Sequence, residues 1–346
     1  MNIKKHILLG LFIALFLFVP QIKAQDVHYT QYDIQSLQQT PANTANFDGN
    51  YRFSALYRNQ WSTIKVPYNT LGFSFDMLAY ASKKFDSKLG VGLSTAFDQA
   101  GDGKYRSLYA QIPISYTLYL TIKEKSLFKI GGGIYIGLIN KSFDISALSF
   151  DNQYNGEVFD ASIPINENFG KLNYTNFDIG LGYNLGFRIN NKVEFGTSLG
   201  IHHLNPIRES YLNNSVNSIL QKRYAITGYF TYFINKKWDL RLDYLYQKQN
   251  VLHEHLMGTT ASYYFKNNDV VKKGIALGVF YRNKDAVSAV IQYKQNNFKA
   301  GISYDINTSP LQAATNNYGA VEIGLVYIIK NIEDVNIKNK RKCFVF

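Results

Sequence analysis

The chain has 346 residues, a formal charge of +12, 27 Tyr, 24 Phe, 25 Gly and one Cys. That length suits one large barrel or two soluble domains. The single Cys excludes an internal disulfide framework and a cysteine-based zinc cluster. A mean hydropathy of -0.19 has the value of a soluble protein, but a membrane barrel scores the same way because half of each strand faces its lumen.

Residues 1–24 read as a targeting segment. Lys4 and Lys5 precede an apolar run from Ile7 to Val19, and Ile22-Lys23-Ala24 ends in a small residue suited to cleavage,. No Cys follows that site, which argues against a lipoprotein, and no later apolar run reaches the roughly 18 residues of a membrane helix. Residues 25–50 show no clear period and contain Pro41, several Gln and Asn, and scattered aromatics. They suit a periplasmic N-terminal segment or a plug in a barrel mouth.

From residue 51 the pattern is regular. The stretch Asn176 to Ile189 places Phe177, Ile179, Leu181, Tyr183, Leu185, Phe187 and Ile189 on one set of alternate positions. Asp178, Gly180, Gly182, Asn184, Gly186 and Arg188 occupy the other. Alternate side chains of a strand point to opposite faces. A strand of this length, greasy on one face and small or polar on the other, is suited to cross a bilayer. Similar runs are read over 51–60, 70–80, 88–97, 105–120, 127–139, 192–202, 222–234, 238–247, 256–265, 274–282, 286–295, 298–306 and 318–329. They predict an all-β transmembrane antiparallel barrel of about 14 strands over residues 51–330. Asp239, Arg241, Asp243, Glu194 and Glu322 fall on the partner face and must point inward, since Lys or Arg on the lipid face costs roughly 2–4 kcal/mol at mid-membrane. The three glycines of 176–189 predict a close backbone approach from inside, by a plug lying on that wall. Residues 331–346 fall outside the pattern and form a basic tail.

Connections alternate in length. Those near 81–87, 121–126, 190–191, 235–237, 266–273 and 296–297 are short, whereas 143–175, 203–221 and 307–317 are long. Short periplasmic turns and longer surface loops are the usual pattern. Removing Lys4, Lys5 and Lys23 with the leader takes the charge to +9. The short turns and their flanks hold Lys83, Lys84, Lys88, Lys123, Lys125, Lys192, Lys236, Lys237, Lys266, Lys272, Lys273 and Lys299 against Asp86, Glu124 and Asp269. This basic periplasmic rim fits either headgroups of outer-membrane lipids or an acidic periplasmic partner. The basic tail, 331–346, suits a solvated periplasmic segment, and nucleic acid is not expected as its partner,. The loop from 143 to 175 is acidic and carries Phe143, Phe150, Tyr154, Phe159, Phe169 and Tyr174. It suits a binding surface or a lid equally.

Catalytic, metal and cofactor signals are weak, and none is assigned. His202-His203 and His253-Glu254-His255 lack the further ligands a metal needs. Gly131-Gly132-Gly133 has no following Lys-Ser/Thr and opens no helix. Asp98 to Asp102 reads as a hairpin loop before it reads as a calcium site. No Ser-His-Asp set stands out.

Several stretches together resemble the PorP/SprF family of outer-membrane proteins of the type IX secretion and gliding machinery of Bacteroidetes. They are Gln25-Asp26, Tyr29-Thr30-Gln31-Tyr32, Pro41-Ala42-Asn43, Tyr57-Arg58-Asn59-Gln60-Trp61, Tyr68-Asn69-Thr70, Gly101-Asp102-Gly103, His203 with Pro206, Gly301-Ile302-Ser303-Tyr304-Asp305 and Glu322. Two features depart from the family pattern: Thr40-Pro41-Ala42-Asn43-Thr44-Ala45 stands for Asn-Pro-Ala-Tyr-Ala-Gly, and the chain runs on past the last strand. The resemblance implies a non-enzymatic barrel that helps export or retain cargo bearing a C-terminal sorting domain. It implies links to periplasmic ring proteins and a peptidoglycan-binding lipoprotein. It marks Tyr57, Arg58, Gln60, Trp61, Tyr304 and Asp305 as interaction or structural residues, with Arg58 and Asp305 expected to pair across the lumen. The rival reading is a porin-like passive channel for small solutes.

Overall fold

The computed structural model describes residues 26–330 apart from 65, 83–84, 124–125, 210, 212–217 and 268–271. The leader, the basic tail, Lys83, Lys84, Lys125 and the side chain of Lys123 lie outside these residues.

The chain forms a closed antiparallel barrel of fourteen strands. They are β1 (Tyr51–Gln60), β2 (Tyr68–Ser82), β3 (Ser87–Ala100), β4 (Tyr105–Lys123), β5 (Ser126–Ser142), β6 (Asn173–Ile189), β7 (Val193–His202), β10 (Arg223–Phe233), β11 (Trp238–Gln249), β12 (Leu252–Asn267), β13 (Lys272–Arg282), β14 (Ala286–Gln295), β15 (Phe298–Asn307) and β16 (Tyr318–Ile329). A small hairpin, β8 (Ile207–Glu209) with β9 (Ser218–Leu220), sits between β7 and β10. Each barrel strand pairs with its neighbours, and β1 closes on β16 from Tyr51↔Ile329 to Gln60↔Ala320. Closure leaves no sheet edge, so each wall strand has a partner on both sides.

Alternation decides which face is which. In β1, Arg52, Ser54, Leu56 and Arg58 are buried toward the lumen, while Tyr51, Phe53 and Tyr57 are exposed. In β16, Val321, Ile323, Leu325 and Tyr327 form the exposed set and Glu322 is buried. This apolar exterior is the lipid-facing band of a membrane barrel. The turn Asn296–Asn297 between β14 and β15 lies at the end of the barrel that holds Tyr51 and Ile329, where every turn is short. The long connections 143–172, 203–222 and 308–317 lie at the other end. By that asymmetry the end with both strand termini faces the periplasm.

The strands extend beyond the alternating runs at the surface side. β5 continues to Ser142 and β6 begins at Asn173, with Asn140 bonded to both Asn173 and Thr175 at 2.6 and 2.8 Å. Their exposed faces are polar there, so no hydrophobic period announces them.

Residues 29–47 are inside the barrel. Tyr29, Ile34, Leu37, Ala42 and Phe47 are each at most 1% exposed. The path contains one helical turn, Ser36–Gln39, and a 3-10 turn, Pro41–Asn43, whose start is capped by the Thr40 side chain accepting from Ala42 N–H. Pro41 is tolerated at that first position because its missing N–H would have no partner there. Gly133, Gly182 and Gly200, on β5, β6 and β7, make a flat bed beneath residues 39–42. A Cβ on Gly133 would meet Ala42 N at 2.7 Å. One on Gly182 would overlap Thr40 Oγ1 and the Leu199 carbonyl, and one on Gly200 the Gln39 carbonyl. These positions need glycine because another backbone lies where a side chain would go. Gly180 serves differently, leaving space for the Tyr135 ring.

Candidate functional site

Three buried polar clusters hold this internal segment. Together they form the candidate site.

The first lies at the seam where β1 meets β16. Register places Arg58 opposite Glu322, both facing inward. Arg58 Nη1 donates to Glu322 Oε1 at 2.7 Å and to Asp305 Oδ2 at 3.0 Å. Arg282 Nη1 reaches Asp305 Oδ2 at 3.2 Å and Asp285 Oδ2 at 2.8 Å. The internal segment completes the cluster. Thr30 N–H donates to Glu322 Oε1 at 2.7 Å, and Gln31 N–H to Oε2 at 2.9 Å. The Thr30 hydroxyl lies 2.9 Å from Asp305 Oδ1 and accepts from Arg282 Nη2 at 2.6 Å. Buried charges of both signs are thus paired and hydrogen-bonded, the condition under which they are tolerated in a low-dielectric interior.

The second cluster lies near the surface-side mouth. His203, one residue beyond β7 with φ 58°, turns its ring between two carboxylates. Its Nε2 is 2.6 Å from Asp26 Oδ2 and its Nδ1 3.0 Å from Asp178 Oδ1. Asp26 also accepts from Tyr109 Oη at 3.1 Å and Gln249 Nε2 at 3.3 Å, and it faces Arg223 Nε at 3.3 Å. Burial acts to lower the pKa of His203, but Asp26 and Asp178 outweigh it and raise it to about 9,. Burial acts to raise Asp26, yet His203, Arg223 and Lys141 hold it well below the usual carboxylate range. Beside this pair, His202 Nε2 lies 3.2 Å from the Gln39 carbonyl, and Arg223 Nη2 donates to the Gln38 carbonyl at 2.7 Å.

The third cluster lies in the periplasmic half. Arg52 donates through Nε and Nη2 to both oxygens of Asp76 at 2.8 Å, and Nη2 also reaches the Asn43 carbonyl at 3.1 Å. Asp76 accepts from Ala45 N–H at 2.7 Å. Ser115, Lys129 and Asn184 bond Thr44 O, Asn46 Oδ1 and Ala42 O. Much of this recognition goes to the main chain of the segment, which explains why its polar backbone is tolerated inside a barrel.

The residues singled out by sequence divide by face. Arg58 and Asp305 pair in the lumen, but along one wall and not across it, since only β16 separates their strands, and Gln60 Oε1 accepts from Arg58 Nε at 3.4 Å. Tyr57 and Tyr304 point to the lipid face, 43% and 38% exposed. Trp61 lies past the end of β1 with φ 57°, donates its N–H to Gly319 O at 2.7 Å, and packs its ring on Tyr68 at 5.1 Å. Of the rim lysines, Lys236 and Lys237 are exposed and Lys272 lies over the Tyr264 ring at 4.1 Å, with Lys273 beside it. Two lysines counted with the rim turn elsewhere. Lys88 donates to the Phe47 carbonyl at 3.3 Å, and Lys299 pairs with Asp33 at 2.6 Å, so both hold the internal segment. Their strand parity carried this signal. The roles of Glu322 as a double acceptor, of Arg282 and of Asp178 do not follow from spacing.

At the surface side, Tyr211 gathers the aromatics of the long loop. Its ring lies 4.8 Å from Phe143, 5.4 Å from Tyr174 and 6.3 Å from Tyr105. Phe169 packs on Phe143 and Phe150. Tyr154 and Phe159 stand apart at an exposed bridge. Of the histidine pairs, His202 and His203 serve the internal segment. In the other, Glu254 faces inward toward His28 and Arg282 while His253 and His255 face outward.

The profile of the family described as type IX secretion system membrane protein PorP/SprF matches residues 21–327, so it spans the internal segment and nearly all of the barrel. The chain belongs to the PorP/SprF family. With an apolar belt around a closed barrel, it is an outer-membrane protein of that secretion system's family. Several of the stretches that carry the resemblance have a place in the clusters above: Tyr29 to Tyr32 and Pro41 to Asn43 in the internal segment, Arg58, Asp305 and Glu322 at the seam, His203 at the mouth. A search of curated proteins returns no match. Among solved structures, the toluene transporter TbuX of Ralstonia pickettii is 11% identical, with 84% of this chain and 92% of that chain covered and a TM-score of 0.48. The toluene transporter TodX of Pseudomonas putida is 8% identical over 86% and 92%, with a TM-score of 0.42. The KdgM porin is 9% identical over 80% and 98%, with a TM-score of 0.34. The likeness is one of barrel shape.

Proposed function

We propose that this PorP/SprF protein is a non-enzymatic docking barrel of the type IX secretion machinery. In this reading it holds exported or surface-retained cargo through its outer loops. It meets periplasmic components, among them a peptidoglycan-binding lipoprotein and ring proteins, through its basic rim. The observation that carries the reading is the internal segment, fixed by ion-pair clusters near both mouths. A lumen filled in this way supports attachment in preference to free diffusion of solutes. The acidic, aromatic surface loop and the basic periplasmic turns support two faces with different partners.

Mild-detergent affinity purification from the native outer membrane tests the proposal, with planar-bilayer recording of the same preparation. Stoichiometric recovery of a periplasmic lipoprotein or a large surface protein, with no steady conductance, is the expected result. Recovery of the barrel alone together with stable single-channel currents would overturn it in favour of the porin-like channel.

A further inference from the structure

The outward face carries a cationic cluster that neither the internal segment nor the periplasmic rim uses. On β11, Lys248 lies in register with Tyr224 of β10 on one side and His253 of β12 on the other. Directly opposed residues have Cβ atoms about 4.5–5.5 Å apart, so Lys248 and His253 present one two-pronged head. Lys222 precedes β10 at the same rim, and all three side chains are exposed. One row lower, His255 is held by Tyr244 Oη at 2.9 Å, with its ring 4.8 Å from Tyr246 and 5.8 Å from His253. The described outward residues of β10, β11 and β12 include no Asp or Glu. Asp239, Asp243 and Glu254 all point inward.

Depth and surroundings narrow the ligand. Lys248 is ten residues along β11 from Trp238, which marks the periplasmic girdle. Ten residues span roughly 34 Å along a strand and about 26 Å along the membrane normal at a tilt near 40°. That is close to the ~25 Å apolar band, so Lys248 lies at headgroup level. The turn Asn250–Val251 is the shortest at the surface side, so β11 and β12 end just above Lys248 and His253. Below it, Leu242, Tyr244, Tyr246, Ile226 and Met257 continue as an apolar and aromatic surface. Cations above an apolar wall match an amphipathic anion. A soluble anion would have no use for the lower half.

We propose that Lys222, Lys248 and His253, with His255 beneath them, bind the phosphorylated headgroup of an outer-leaflet lipid, whose acyl chains lie along Tyr244, Tyr246 and Leu242.

The test uses the full-length protein in dodecyl maltoside micelles, titrated with lipid A that carries or lacks its phosphate. Bound lipid per barrel is counted by native mass spectrometry. The wild type should hold the phosphorylated lipid at least about tenfold more tightly than the dephosphorylated one. Lys222→Ala with Lys248→Ala should weaken it roughly thirtyfold, from about one kcal/mol for each lysine near a headgroup. His253→Ala should weaken it by less, and Lys104→Ala, at another part of the mouth, should leave it unchanged. Heat-modifiable gel mobility shows that each variant keeps a folded barrel. Equal binding of the two lipids, full retention by the double lysine variant, or no retention by the wild type would overturn the proposal. Displacement of the lipid by an equal concentration of inorganic phosphate would assign the site to the free anion and overturn the lipid as its ligand.

Discussion

Arg58 and Asp305 are 247 residues apart in sequence and 3.0 Å apart in the lumen. Glu322 stands beside them, directly opposite Arg58, and its two oxygens accept the N–H groups of Thr30 and Gln31. The seam that closes the barrel is therefore also the anchor for the internal segment. Glu322→Ala leaves Arg58 with Asp305 as its ion-pair partner and leaves two buried N–H groups without acceptors. Loss of one member of a buried charge set costs about 3–5 kcal/mol. The expected result is a barrel that still migrates as folded but whose residues 26–47 become cleavable by protease. A segment as protected as in the wild type would show that the seam does not hold it.

The bed of glycines makes a second, independent case. Gly182→Ala brings a methyl group against Thr40 Oγ1 and the Leu199 carbonyl, and the second of these is wall backbone that cannot swing aside. The internal segment must lift. Amide exchange over residues 38–44 should accelerate by roughly tenfold or more, as expected for a penalty of about 1–3 kcal/mol from overpacking. Gly132 is the control, since a Cβ there meets nothing within 4 Å. Equal exchange in both variants would mean that the bed does not bear on the segment.

How much of this was legible depended on the period. Wherever a strand crosses lipid, its outward residues are obligatorily apolar, and the alternation of Phe177 to Ile189 or Trp238 to Tyr246 stands out. Above the membrane that requirement ends, so the outer parts of β5 and β6 and the three-residue strands β8 and β9 left no pattern. Parity also explains what could be read of the site. Arg58 and Asp305 both fall on inward positions of strands separated only by β16, so their pairing follows from barrel order. Tyr57 and Tyr304, adjacent in sequence to those two residues, fall on the opposite parity and belong to the lipid belt. The occupant of the lumen was harder to place. Residues 26–47 have no period because they follow an irregular path through mixed surroundings, with apolar wall side chains around Tyr32 and Ile34 and polar ones around Thr30 and Asn43, and the glycines of β6 showed only that some backbone comes close.

The direction of the segment has a testable consequence. Asp26 is bonded to His203, Tyr109 and Gln249 near the surface-side mouth, whereas Phe47 and Asp48 meet Lys88 and Lys330 at the periplasmic end. A short hydrophilic tag placed directly before Asp26 has the surface mouth as its nearest exit. Antibody labelling of intact cells should detect it. Labelling only after the outer membrane is permeabilised would mean that the segment enters from the periplasm in the reverse sense or stays outside the lumen.

The exposed pair Lys236 and Lys237 separates the two readings of the rim. Lys236→Glu with Lys237→Glu reverses two charges at a periplasmic turn without touching a luminal cluster. If the rim docks an acidic partner, that partner should elute from the variant at lower salt than from the wild type. From the wild type it should come off between low salt and about 1 M, where the screening length falls to about 3 Å. Retention unchanged across that range would rule out an electrostatic ring.

The mouth cluster predicts a pH window for the seated segment. His203 has its pKa raised to about 9 in the folded protein, against 6.5 when unperturbed. A group raised in this way contributes stability that is complete below about 6.5 and is lost as pH climbs through about 9. Asp26 is lowered, so its contribution is present above its unfolded value near 3.8 and fades as pH falls below it. The two groups together hold the segment best between about pH 4.5 and 6.5, and the His203 share is on the order of 3 kcal/mol. A thiol reagent directed at Val27→Cys, in a background with Cys343→Ser, should therefore react slowly near pH 6. Once the reagent's own dependence on thiolate is divided out with a small exposed-cysteine standard, the corrected rate should rise tenfold or more by pH 9.5. His203→Gln should abolish that rise, because a neutral amide at this position has no proton to lose. A rise that persists in His203→Gln would place the titrating group elsewhere in the lumen.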